Sequence, residues 1–289
     1  MNQNSYDGRP SLYLVPTPIG NLEDITIRSL NVLKMVDLIL CEDTRETLKL
    51  LSFYDIKKKL VSCHKYNEEK MKSVIVSKLD EGLNLALVTD QGTPIISDPG
   101  YTVVNEVIKN NYNVIGLPGA TAFVPALISS GINPSPFLFY GFLNAKSSKQ
   151  LKELESLKIL PYTIILYESV HRLNETLKNI YTVLGDRYVS IHREISKIHE
   201  EIIRDKVSNL IDNITTLKGE FVLVVSGNTD LVDFSDMSLY EHVMLYVNDG
   251  MSKNEAIKLV AKERGISKSI VYKEVCKDKW YYEIDCWFG

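Results

Sequence analysis

No stretch of this chain stays apolar for the roughly 18 residues that a membrane-crossing helix needs, so the sequence offers no transmembrane span. The first ten residues are polar, carry no signal-peptide hydrophobic stretch, and read as a frayed tail. Cysteine is scarce. The four present (Cys41, Cys63, Cys276, Cys286) form no CxxC pair and no zinc-ligand spacing. Cys41 and Cys63 fall in apolar runs and read as buried, reduced thiols. Together these features point to a cytoplasmic protein.

Several catalytic signatures are also missing. There is no P-loop and no G-x-G-x-x-G after the first apolar run, which weakens a dinucleotide reading. There is no H-E-x-x-H, so no metal site is suggested, and no G-x-S-x-G elbow. The five histidines (His64, His171, His192, His199, His242) are scattered, and His171 is the strongest candidate for chemistry among them. Positive charge is not in excess. The formal net charge is −4, which argues against wholesale coating of nucleic acid but leaves room for a local basic face.

What the chain does contain is alternation. Short apolar runs at residues 12–15, 38–41, 60–63, 85–88 and 114–117 read as strands. Helical spacing follows each of them, first at 24–36 with a start at Asp24 or Thr26 and apolar Ile27, Leu30, Leu33 and Val36. Strand and helix in alternation predict a parallel α/β sheet, because parallel strands need crossovers. After the Pro-rich connector at 133–136 the texture changes. Strands at 137–140, 163–167, 188–192 and 221–225, with helices at 147–157, 170–184 and 207–214, predict a second α/β lobe with more antiparallel character. Residues 228–238 read as a linker. The expected domains are 11–132, 133–228 and 238–289.

Three strand ends in the first lobe open into loops rich in Pro and Gly: 16–21, 89–100 and 118–122. Ligands of open α/β sheets bind outside the carboxyl ends of strands. Glycine lets backbone approach a ligand and proline stiffens the wall. Few charged groups accompany these loops, so a zwitterionic, adenine-bearing molecule suits them better than a phosphate. Capping competes with this reading at some positions. Asp98 as an N-cap with Pro99 at the first helical position explains that part of the middle loop without any ligand. Capping plus a local ion pair does the same for Glu42-Asp43-Thr44-Arg45.

The C-terminal region holds two helical patterns, 253–264 and 268–276, separated by Gly265-Ile266-Ser267. Ala256, Val260, Ala261, Ile266, Ile270, Val271 and Val275 are expected to form their core. Between Gly250 and Lys279 there are eight basic residues against four acidic ones. A basic helix-turn-helix contacting nucleic acid and a plain packing hairpin both fit this pattern.

Taken together, several motifs resemble those of the tetrapyrrole methylase superfamily, which uses S-adenosylmethionine. They are Leu14-Val15-Pro16-Thr17-Pro18-Ile19-Gly20-Asn21-Leu22, Glu42-Asp43-Thr44-Arg45, Thr89-Asp90-Gln91-Gly92-Thr93-Pro94, Asp98-Pro99-Gly100-Tyr101 and Leu117-Pro118-Gly119. Tyr140-Gly141-Phe142-Leu143, Tyr167-Glu168-Ser169-Val170-His171-Arg172-Leu173, Arg193-Glu194-Ile195-Ser196-Lys197 and Gly219-Glu220 continue the series. The resemblance covers about residues 11–227, and the small C-terminal helical module also fits it. Within the superfamily the motifs are most similar to those of bacterial enzymes that methylate a cytidine 2′-oxygen in 16S rRNA. Departures are Gln91 where Ala is usual, Ala120-Thr121 after Pro-Gly, and Arg204-Asp205 where a glycine is expected.

The resemblance implies a two-lobed fold, with a parallel α/β N-terminal lobe, a mixed-sheet second lobe and a C-terminal helical module. It implies a homodimer, with S-adenosylmethionine lined by Pro18, Asp90, Gly92, Thr93, Thr121, Ala122, Tyr167 and Glu168. A 2′-hydroxyl is a weak nucleophile, so a base or acceptor is expected nearby. Glu42, Asp43 and His171 are the candidates for that role, with Arg45 or Arg172 holding an RNA phosphate. Asp43, Arg45 and His171 are the expected catalytic set. Lys146, Lys149, Lys268 and Lys273 are expected to touch phosphate. A corrin-type small-molecule methylase and a non-enzymatic RNA-binding protein are the alternatives.

Overall fold

The computed structural model describes residues 3–5, 7–211, 218–228 and 237–277. It divides into two compact units, Met1–Asn228 and Thr229–Gly289. Cys286, Asp278, Lys279 and most of the expected linker lie outside the described residues.

The first unit contains two five-stranded sheets. Strands β1 (Ser11–Leu14), β2 (Leu38–Cys41), β3 (Lys59–Ser62), β4 (Leu85–Leu87) and β5 (Asn113–Gly116) form the first, in the order β3-β2-β4-β1-β5. Every pairing in it is parallel. Helices α1 (Ile27–Met35), α2 (Thr44–Phe53), α3 (Glu68–Asp80), α4 (Tyr101–Lys109) and α5 (Phe123–Ser129) follow the strands in turn. Period-two alternation sorts the strand side chains. Tyr13, Ile39, Ala86 and Ile115 pack under Val32, Leu33 and Leu51 of α1 and α2. Leu12, Leu38, Leu85 and Leu87 pack under Ile75, Leu79, Val103 and Val107 of α3 and α4. Thr26, rather than Asp24, starts α1, its side chain accepting the Ser29 N–H.

This layering places a crevice. Chain leaving β1 and β2 goes to one face, and chain leaving β4, which lies between them, goes to the other. Neighbouring loops therefore diverge at the carboxyl end of β4. Such a switch point is where open α/β sheets hold ligands.

The second sheet takes β6 (Phe137–Phe142), β7 (Thr163–Ser169), β8 (Tyr188–Arg193), β9 (Glu201–Lys206) and β10 (Glu220–Val225), in the order β6-β7-β10-β8-β9. Only β6 and β7 pair in parallel. Helices α6 (Ser147–Leu157), α7 (Leu173–Leu184) and α8 (Val207–Ile211) pack on one face. The other face receives Ala126 and Leu127 of α5 against Ile165, Val222 and Val224.

Three expectations change. Strand β9 went unseen because Glu201-Ile202-Ile203-Arg204-Asp205-Lys206 has the charged, half-exposed character of an edge strand. The tail read as frayed is tied to β5: the Gln3 amide accepts the Val114 N–H at 3.0 Å and donates to its carbonyl at 2.9 Å. Asp98 does not cap α4. The cap position is Gly100, at φ +129°, and the Glu68 carboxylate accepts the Gly100 and Thr102 N–H groups.

In the second unit, α9 (Leu239–Asn248), α10 (Lys253–Glu263) and α11 (Lys268–Lys277) enclose Val243, Ala256, Ile257, Val260, Val271 and Val275. Ile270 was expected in this core but is 51 % exposed. It precedes Val271 on a helix whose buried face runs through 271 and 275, four residues apart.

Candidate functional site

The three Pro/Gly loops are bonded to one another. Thr17 and Gly92 exchange two backbone hydrogen bonds at 2.9 and 3.0 Å, and the Thr17 hydroxyl donates to the Thr89 carbonyl at 3.0 Å. Gly92 sits at φ +83°, where a side chain is strained. The Thr93 hydroxyl donates to the Ala120 carbonyl at 2.9 Å. At Gly119 a Cβ would lie 2.5 Å from Pro16, so only glycine lets these two loops approach so closely.

Around them lies a cavity of about 500 Å³. The first sheet contributes Ile19, Glu42, Asp90, Gly92, Thr93 and Asp98, and the loop before α5 contributes Thr121 and Ala122. The second sheet contributes Phe142, Tyr167, Glu168, Ser169, Phe221 and Val222, with Ile195 from the loop after β8. A second groove of about 660 Å³ shares Ile19, Thr121 and Ile195 with it and continues past Asp24 and Lys197.

Most of the expected donor-site residues converge here. Asp90, Gly92, Thr93, Thr121, Ala122, Tyr167 and Glu168 all line the cavity. Pro18 is buried in the first loop, and its neighbour Ile19 reaches the wall instead. Burial pushes the Tyr167 pKa up, and the neighbouring Thr121 and the backbone of Phe123 and Ala122 oppose that rise. Tyr167 of the second sheet and Thr121 of the loop before α5 thus share one wall of the cavity.

Glu168 departs from the solvated acid that a strand end suggests. It is 2 % exposed. Its carboxylate accepts from Arg172 at 2.8 Å, Thr176 at 2.6 Å and the Ser169 N–H at 2.7 Å. That carboxylate is committed inward.

The expected catalytic set sits elsewhere. Asp43 caps α2, accepting the Arg45 N–H at 2.8 Å and pairing with its guanidinium at 2.6 Å. The Arg45 side chain is 84 % exposed. The Arg45 bonds hold the Asp43 carboxyl down at about 2. His171 is exposed in the turn between β7 and α7. None of the three lines the cavity. Asp43 still touches the site indirectly, its N–H donating to Asp90 at 3.1 Å. Lys146 and Lys149 are exposed at the start of α6, and Lys268 and Lys273 are exposed on α11. Gln91 is exposed at the cavity edge.

The cavity is more acidic than its loops suggested. Glu42, Asp90 and Asp98 share it. Burial raises the carboxyl pKa of both Glu42 and Asp90. Burial pushes Asp98 up to about 6. A hydrogen bond with Thr89 opposes that rise, and the charges of Glu42 and Asp90 add to it. Asp98 was missed because Asp-Pro-Gly before a helix looks like a capping sequence, and its replacement as cap comes from a distant glutamate. Phe142 was signalled by the Tyr140-Gly141-Phe142-Leu143 motif. Gly141, at φ +80°, lies where the β6–β7 register shifts.

The family model for tetrapyrrole (corrin/porphyrin) methylases matches residues 11–211. A Bacillus subtilis protein named ribosomal RNA small subunit methyltransferase I is 46 % identical over 281 residues, covering 93 % of this chain and 96 % of that one. A Synechocystis protein of the same name is 42 % identical, covering 91 % and 96 %. Among solved structures, a diphthine synthase aligns with TM-score 0.58 at 13 % identity, covering 75 % of this chain and 90 % of that one. A cobalt precorrin-4 methyltransferase aligns with TM-score 0.55 at 19 % identity, covering 74 % and 94 %. At such identities these structures speak to fold alone.

Proposed function

Because the chain belongs to the tetrapyrrole methylase family, we propose that it methylates the 2′-oxygen of a cytidine ribose in 16S rRNA, with S-adenosylmethionine as donor. The observation that carries the reading is the cavity at the switch point. Its volume lies within the ~300–1,000 Å³ of small-molecule sites, and its walls combine loop backbone, three aromatic rings and five acidic side chains. That chemistry suits a cationic donor with an aromatic base, since carboxylates and ring faces both attract positive charge. The names of the relatives support small-subunit rRNA as substrate. The solved structures that act on tetrapyrroles are too distant to favour a corrin substrate.

When bound, the donor supplies an electrophilic methyl group on a sulfonium. The protein's part is placement: holding the ribose hydroxyl roughly 3–3.5 Å from the methyl carbon and in line can supply much of the acceleration. The Thr17–Gly92 and Thr93–Ala120 bonds fix the loops that would hold the donor. Phe142, Tyr167 and Val222 form the opposite part of the wall. In this reading residues 11–132 and 133–228 act as two lobes around the cavity, and 238–289 is an RNA-facing module. Lys146, Lys149, Lys268 and Lys273 contact phosphate, and two chains pair as a homodimer, as the family resemblance implies. None of the described helices is long and apolar enough to cross a membrane.

The test is mass mapping of ribose methylation on 30S subunits incubated with the protein and isotope-labelled donor. A label on one cytidine 2′-oxygen is expected. Unlabelled cytidines would sink the reading.

A further inference from the structure

We propose that Asp98 is the catalytic base of this site, taking the proton of the ribose hydroxyl as methyl transfer proceeds. The inference rests on the reaction proposed above and names the group that the sequence left open. Its first support is position. Asp98 lines the cavity beside Glu42 and Asp90, in the loop at the carboxyl end of β4. The second is that its obvious structural duty is performed by another residue. Glu68, 32 residues away from Gly100, caps α4, so Asp98 is not needed there. The third is the backbone around it. Ile95 and Ser97 both hold positive φ, +76° and +68°. For a β-branched residue that is a true outlier, of the kind that persists where surroundings over-determine it and that clusters at active sites. The helix start would tolerate a plain turn, whereas this strained one sets Asp98 on the cavity wall.

Asp43, Glu168, Asp90 and His171 fit the role less well, while Glu42 shares the cavity and acts on Asp98 through its charge. Asp43 is paired with Arg45 and lies off the cavity. The Glu168 carboxylate is consumed by Arg172, Thr176 and Ser169. Asp90 accepts the Asp43 N–H. His171 is exposed and off the cavity. The charged and titratable groups that act on Asp98 are Glu42 from the end of β2 and Asp90 from the end of β4, and Tyr167 of β7 in turn feels the Asp98 charge. With its pKa at about 6, Asp98 is ionised at neutral pH yet basic enough to accept a proton, which is the compromise a general base needs. The balance is simple. The hydroxyl oxygen gains a bond to carbon, its proton passes to an Asp98 oxygen, and the electron pair of the broken carbon–sulfur bond stays on sulfur. Solvent then removes the proton from the half-buried carboxyl.

Three measurements on the full-length protein test this. Single-turnover methylation of 30S subunits should rise with pH through about 6 in the wild type. Asp98→Asn should lose about 10²–10⁴-fold in rate together with that limb, and Asp98→Glu should restore part of both. Calorimetry with S-adenosylmethionine should give Asp98→Asn a loss of donor affinity far smaller than its loss of rate, at most about tenfold. A loss of donor affinity that matches the loss of rate would make Asp98 a donor-binding residue and overturn the proposal. Carboxyl carbon NMR on the wild type needs no variant to fold: a titration with a midpoint near 6 is expected, and its absence would also overturn it. Wild type that methylates no subunit at any pH would overturn both this inference and the rRNA reading. An active wild type with an equally active Asp98→Asn would overturn only the role of Asp98.

Discussion

The Glu68 carboxylate on α3 accepts the backbone N–H of Gly100 at 3.1 Å, and so caps a helix that belongs to the next strand-helix unit. Burial works to raise the Glu68 pKa, but hydrogen bonds from Thr102 and Gly100 outweigh it and the net shift is downward. Glu68 therefore stabilises the fold above its unfolded value, and that contribution is lost as pH falls through its lower folded one. Replacing a capping acceptor typically costs about 1 kcal/mol. Glu68→Ala is expected to lose about that much in urea unfolding at pH 7, and the deficit should shrink at pH 3. A deficit independent of pH would mean that the packing of the side chain, not its charge, is what matters.

Gly92 tests whether loop geometry controls the cavity. Its φ of +83° disfavours any side chain, and a Cβ there would lie 3.3 Å from Ile19 Cγ2. Gly82, at φ +87°, has nothing within 4 Å of its Cβ position and precedes β4 at the end away from the cavity. Both alanine variants carry similar backbone strain, about 1–2 kcal/mol. Only Gly92→Ala should weaken S-adenosylmethionine binding, by about tenfold if the loop shifts by the equivalent of 1.4 kcal/mol. Calorimetry on the two variants decides it. Equal donor affinities would separate the strained turn from the site.

Much of the first sheet was legible because each strand is a short apolar run, and three of them open into loops rich in Pro and Gly, where the chain cannot continue a strand. The order of the strands was not, because it depends on which face each crossover takes. The donor-side loops were legible from Thr17, Gly92 and Gly119, whose residue types suit close backbone approach. Asp98 and Glu168 were not. Their environments are set by partners distant in sequence or on a following helix: Glu68 takes the cap from Asp98, and Arg172 with Thr176 makes burial of Glu168 tolerable. The approach of Tyr167 to Thr121 was equally invisible, since it brings β7 against a loop that follows β5 of the other sheet.

Asp98 should make the fold less stable as pH rises. Its folded value of about 6 lies above the ordinary 3.8, so between those values the native state binds more protons than the unfolded chain and stability falls with pH. The full shift would correspond to about 3 kcal/mol, but the group is partly solvated and about 1 kcal/mol is the better expectation. Asp98→Asn is expected to be about that much more stable than wild type at pH 8 and no different at pH 3. Thermal unfolding at the two pH values measures it. A variant less stable at pH 8 would show that the carboxylate is held by partners rather than penalised by burial.

Glu168 and Arg172 form an ion pair whose acid side chain is fully buried and whose base is 24 % exposed. Removing one member of a buried pair typically costs about 3–5 kcal/mol, because the other is left uncompensated. Glu168→Ala should cost about 3 kcal/mol, the lower end, since Arg172 keeps some solvent and also donates to the Leu143 carbonyl at 3.2 Å. The double variant Glu168→Ala with Arg172→Met should recover part of it. Urea unfolding of the three variants gives the coupling. Additive losses would show that the pair is not a unit.

The lysines of α11 separate an RNA-binding module from a packing module. Lys268 and Lys273 are exposed, while the core of the unit is carried by Val243, Val260, Val271 and Val275. Their removal should therefore leave folding intact. Each phosphate contact contributes roughly 0.7–0.9 to the slope of log affinity against log salt. The pair Lys268→Ala with Lys273→Ala should flatten the slope for 30S binding by about 1.5 and leave the methylated position unchanged, because phosphate contacts position the protein without reading bases. Filter binding across a salt series, with methylation mapping on the same variant, supplies both readouts. Unchanged slope and affinity would assign these lysines to a solvated surface.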